Sequence, residues 1–167
     1  MFTRVEDFLA AWKQHSSGTQ RYFDALTDNS LQQMSAAGER TIARAAWHIV
    51  TSLSEMAGRT GLKLSGPSES APIPKTAKEI TEGYRQLSHS LAEEVKNNWN
   101  DAALQVEDDM YGSNWKRGLT LRIIIDHEIH HRGQLSVLMR QAGLKVPGIF
   151  GPSLEEWSQH GMKPPEI

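Results

Sequence analysis

Apolar side chains recur every three to four positions along most of this chain, the spacing that gathers them on one face of an α-helix. Val5, Phe8, Leu9, Trp12, Tyr22 and Phe23 trace such a stripe. They predict a first helix from about Val5 to Leu26, with Gly18 as a weak point and Thr27-Asp-Asn-Ser30 as its stop. After Gly38, the series Ile42, Ala45, Ile49 and Leu53 predicts a second helix from about Glu39 to Gly58. Thr76-Ala-Lys-Glu79 is the pattern of a capping box, and Ile80, Tyr84, Leu87, Leu91 and Val95 carry a third helix to about Trp99. Ser113 or Asn114 is placed to cap a fourth helix, running from Trp115 to about Gln141 and ended by Gly143. A short last helix can start at Ser153.

The gaps between these stripes complete the picture. Gly61 to Pro74 is rich in Pro, Gly and Ser and cannot be helical. Asp101 to Gly112 is polar and is expected to be irregular. No segment alternates convincingly as a strand would. The expected fold class is all-α: a four-helix bundle with a long crossover connection and a short extra C-terminal helix, one domain over residues 1–167. Antiparallel neighbours in a bundle need only a few linking residues, so a connection as long as 61–74 should cross the bundle.

Charge narrows the partners. The chain has 167 residues and a formal net charge of −2, with basic residues scattered rather than clustered. Nucleic acid is therefore not expected as a ligand, since phosphate binding normally shows a basic stripe. No apolar run approaches the roughly 20 residues that span a bilayer, and no membrane association is expected. Acidic residues stand in Met-Phe-Thr-Arg-Val-Glu-Asp where a signal peptide would be apolar, so the expected location is cytoplasmic. The absence of cysteine removes disulfides, thiolate nucleophiles and Cys-based zinc sites together.

Candidate chemistry concentrates in Asp126-His-Glu-Ile-His-His-Arg-Gly-Gln134. His127 and His131 stand four apart, on one face of a helix, where two imidazoles can close on one divalent ion. The preceding Leu119-Thr-Leu-Arg-Ile-Ile-Ile125 is strongly apolar, so the pair is expected to face a core, where ring nitrogens need partners. Two satisfied core or surface histidines is the plainer reading. His48, in Ala45-Ala-Trp-His-Ile-Val50 on the second helix, is the candidate third ligand. Three imidazoles with an open position would make a site fit for activating water or a thiol. His15, His89 and His160 read as solvated, and His130 lies about 100° round the helix from His131.

The same segment spells H-E-x-x-H, the zinc-peptidase signature, with Glu128 as base and Glu155 or Glu156 as a third ligand downstream. Against it, Pro147, Gly148, Gly151 and Pro152 break the chain before those glutamates, and no strands could line a peptide cleft.

Taken in order, Ala46-Trp47-His48, then His127-x-x-x-His131, then Arg132-Gly-Gln134, with the tail Met139 to Pro152, resemble the DinB superfamily (DinB/YfiT-like metalloproteins of bacteria) over essentially the whole chain. The resemblance implies a bundle with down-up-up-down crossover connectivity, a three-His metal site at one end of the core, and a homodimer. On that resemblance His48, His127 and His131 fall on the three metal ligands, for a divalent transition ion, zinc or nickel foremost. His130, Arg132 and Gln134 fall on no ligand position and receive no metal role, and Gly133 is expected to permit close helix approach. Relatives include low-molecular-weight-thiol S-transferases and a maleylpyruvate isomerase. The implied function is a metal-dependent enzyme acting on a small molecule, by thiol transfer or hydrolysis. The alternative is a non-catalytic dimeric stress-response bundle with a structural or vestigial metal. No catalytic residue is assigned. Glu128 and Glu55 are the nearest carboxylates that could orient ligands or act as bases, against the plainer reading as solvated charges. For the dimer surface, Trp12 and Ile149-Phe150 are the candidates.

Overall fold

The computed structural model, which describes residues 1–166, has four long helices: α1 (Val5–Asp24), α2 (Ile42–Arg59), α3 (Ala77–Asn98) and α4 (Arg117–Gln141). Each of α1 and α2 packs against both α3 and α4, so helices consecutive in the chain at the two ends lie diagonally across the bundle. The directions follow from contacts. Trp12 Nε1 donates to Ser88 O at 2.9 Å and Thr81 Oγ1 to Phe23 O at 3.1 Å, so α1 and α3 run oppositely. Phe2 N donates to Gly118 O at 2.9 Å, which aligns the starts of α1 and α4. The end of α2 meets the segment leading into α4 through Tyr111 and Glu55, so α2 opposes α4. The order is down-up-up-down, and the long connection must return along the bundle. Ser54 Oγ donates to Pro67 O, Ser65 N to Ser90 Oγ, and Trp47 Nε1 to Ala71 O along that return.

Local chemistry explains the boundaries. Thr76 and Glu79 form the expected capping box at the start of α3. Thr41 caps α2 by accepting from Arg44 N, which moves its start to Ile42 from the expected Glu39. Gly143 lies at φ +75 just past α4, the left-handed stop that glycine adopts without strain. The segment after α3 departs from expectation. Glu107–Met110 (β1) and Ser113–Lys116 (β2) pair as an antiparallel hairpin, so Ser113 and Asn114 are strand residues rather than helix caps. α4 opens after Lys116 with no side-chain cap. Tyr111 and Gly112 form the turn with φ 60 and 80, the paired left-handed geometry whose twist suits a two-residue hairpin loop. The last helix reduces to one 3-10 turn at Trp157–His160.

The core draws on all four helices. Trp12 is 1% exposed within it, which removes it from any surface shared between subunits. Gly18 is no weak point, because α1 runs through it and Ile149 of the tail seats against it. Gly133 has nothing within 4 Å of where a Cβ would sit, so no helix approaches there.

Candidate metal centre

α2 and α4 pack against each other, and their facing sides bring His48, His127 and His131 together. His131 Nε2 lies 3.1 Å from His48 Nε2 and 3.1 Å from His127 Nε2. A tetrahedral ion with metal–nitrogen bonds of about 2.1 Å would hold its donors about 3.4 Å apart, so the observed spacing fits one ion with little adjustment. The donor set also fits a borderline-soft transition ion. Among the described residues no fourth His, Asp or Glu joins this cluster.

The state of the rings is compatible with such an ion. Burial, then the neighbouring His131, then Arg40 and Arg44 hold His48 down to about 4, with Glu55 opposing. Burial followed by the charges of His131, His48 and His130 does the same for His127, also to about 4, and burial lowers His131. Neutral imidazoles with free lone pairs result. His131 Nδ1 donates to Gln134 Oε1 at 2.8 Å, so its lone pair sits on Nε2, facing the other two rings. The Gln134 amide continues to His130 Nε2 at 3.1 Å. Neither Gln134 nor His130 is part of the three-His cluster, yet both are linked to it. A Gln three residues beyond a ligand, within reach on the same helix face, is the signal that sequence reading passed over.

Glu128 does not serve this centre. It is 1% exposed and accepts from Thr19 Oγ1 at 2.7 Å and from Tyr84 Oη at 2.8 Å, on an adjacent face of α4. Arg132 Nη1 lies 3.7 Å from the same carboxylate and donates to Thr19 Oγ1 at 2.9 Å and His15 O at 3.2 Å. Burial raises the Glu128 carboxyl above its ordinary value, opposed by the two hydroxyls and Arg132. The solvated reading of Glu128 is therefore corrected, as is its use as the base of an H-E-x-x-H site. Glu155 pairs with Arg140, and Glu156 accepts from Gly148 N and Ser153 N, so neither tail glutamate reaches the imidazoles. Glu55 accepts from Tyr111 Oη at 2.6 Å and from Arg59. Of the remaining histidines, His89 and His160 are exposed as expected, whereas His15 is half-buried with its ring 5.1 Å from that of Phe150.

Comparison with known proteins agrees with this architecture. The profile of the DinB family matches residues 1–164. The Bacillus subtilis (strain 168) protein YrdA is 38% identical over 167 residues, covering 100% of both chains. A crystal structure of a DinB-like protein from Bacillus cereus superposes with a TM-score of 0.87 at 41% identity, over 90% of this chain and 100% of that one. A second DinB-like crystal structure, YjoA of Bacillus subtilis, shares the fold at a TM-score of 0.68 and 16% identity, over 86% of this chain and 97% of that one.

Proposed function

Since the chain belongs to the DinB family, we propose that His48, His127 and His131 hold one divalent transition ion, zinc or nickel foremost, in a cytoplasmic enzyme acting on a small molecule. The reaction is transfer involving a low-molecular-weight thiol, or hydrolysis. The observation that carries this reading is the convergence of three Nε2 atoms while Gln134 engages the far nitrogen of His131. When bound, the ion supplies a Lewis-acid position at which water or a thiol loses its proton near neutral pH. The chain's residues do the rest. Burial keeps the rings neutral, and Gln134 fixes the orientation of His131. Arg40 and Arg44 add positive potential at His48, and Glu55 opposes it.

Elemental analysis tests the assignment. His48→Ala and His131→Ala should each remove most of the bound metal, while Glu155→Ala and Glu156→Ala should leave it unchanged. Gln134→Ala should retain the ligands and weaken affinity by roughly 10- to 100-fold. Full occupancy in His131→Ala would overturn the reading. Turnover against a panel of thiols and esters, with and without metal, then separates transfer from hydrolysis, and silence in both favours a structural metal. We further propose a two-fold homodimer, with Phe150, 63% exposed, rather than Trp12 at its surface. Light scattering should give about twice the 18.7 kDa chain mass.

A further inference from the structure

Beside the three imidazoles, where the approach to α2 faces the last third of α4, lies a cleft of about 560 Å³. Its α4 wall contains His131, Gln134 and His130, and its other wall contains Ser35, Glu39 and Arg40. That volume lies within the range of small-molecule sites, roughly 300–1,000 Å³. Arg40 is the distinctive member. Most arginines of the chain meet carboxylates, as Arg85 meets Asp24 and Arg117 meets Asp108. Arg40 is exposed and has no carboxylate within salt-bridge distance among the described residues. It lines the same cleft as His131, so it adjoins the centre without belonging to it.

We propose that this cleft seats the carboxylate of the same small molecule whose thiol or other donor meets the three imidazoles, with Arg40 as the cation that selects it. This inference rests on the metal reading above. A guanidinium presents parallel N–H donors matched to the two oxygens of a carboxylate, and an unpaired one loses no existing partner when a ligand arrives. The cleft shares His131 with the metal centre, so the two adjoin. Glu39, the one acid of the lining, sets a limit: a single carboxylate is accommodated better than a cluster of them.

Three thiols with the same two-carbon spacer test the idea: 3-mercaptopropionate, 2-mercaptoethanol and cysteamine, which end in a negative, a neutral and a positive group. Each is titrated calorimetrically into the zinc-loaded protein and into zinc-loaded Arg40→Ala, with zinc content measured on both. Comparing each thiol across the two proteins cancels differences in thiol acidity. Arg40→Ala should weaken 3-mercaptopropionate by roughly fivefold, the scale of one solvent-exposed ion pair, and leave 2-mercaptoethanol unchanged. Cysteamine should bind slightly tighter to the variant, and added salt should shrink all these differences. Equal effects on the three thiols, no effect, or no binding of 3-mercaptopropionate to a zinc-loaded protein overturns the cleft assignment alone. Failure of the wild-type protein to retain zinc overturns the metal reading and takes the cleft assignment with it.

Discussion

Glu128 stands between His127 and His131 in the sequence, and helical geometry turns it about 100° from His127, away from the rings and into the core. There it collects Thr19, Tyr84 and Arg132 from three helices. Glu128→Leu would leave Arg132 buried without its countercharge, so urea denaturation should show a loss of about 3–5 kcal/mol. Replacing Arg132 by Leu as well should recover part of that loss. The imidazoles give a second expectation. Burial first, and neighbouring positive charge second, place His48 and His127 at about 4, below the ordinary 6.5 that the unfolded chain recovers. Between those values the unfolded chain binds more protons. The metal-free protein therefore keeps this stability above about pH 6.5 and loses it as the pH falls towards 4. Thermal melts across that window should show a smaller decline for His48→Gln than for the parent. At this scale the pairing of His127 with His131 was legible, because a four-residue repeat marks one face of a helix wherever that helix packs. The inward turn of Glu128 was not: 128 and 132 repeat at four on the adjacent face, yet Glu128 read as a solvated charge. Which face meets an apolar neighbour depends on other helices, and spacing within one helix does not carry that.

At the scale of elements, the four helices follow their apolar stripes, whereas the β1–β2 hairpin left no pattern to follow. Its residues Glu107-Asp-Asp-Met and Ser113-Asn-Trp-Lys are mostly polar and largely solvent-facing, so no alternation of apolar and polar positions announces them. Tyr111 holds the turn in place instead, through Glu55 and through the Arg59 guanidinium 4.4 Å from its ring. Gly18 and Gly133 show the same limit from the other side, since a glycine in a helix signals a contact only if something lies opposite. A Cβ at 18 would come 2.6 Å from Ile149 Cγ2, so Gly18→Ala must displace the tail even as it gains about 1 kcal/mol of helix propensity. Limited proteolysis should cut within residues 144–162 faster in that variant while the helical circular dichroism signal holds. Gly133→Ala, with open space at its Cβ, should instead stabilise by up to about 1 kcal/mol and leave the tail protected.

For the whole molecule, the apolar stripes and the long connection between α2 and α3 together indicated a bundle with a crossover rather than simple up-down-up-down order, and the parallel arrangement of those two helices is what requires that length. The same topology separates His48 from His131 by 83 positions. An ion held by both would therefore tie one half of the chain to the other. A covalent bridge closing a loop of that size removes about 4.5 kcal/mol of freedom from the unfolded chain. This chain has no cysteine with which to build one. The metal would act as its reversible crosslink, formed once the bundle has assembled and undone without cleaving a bond. A chelator should then do to this protein what a reductant does to a disulfide-bonded one: at constant pH, the melting temperature should drop on chelation in the parent and remain where it was in His131→Ala.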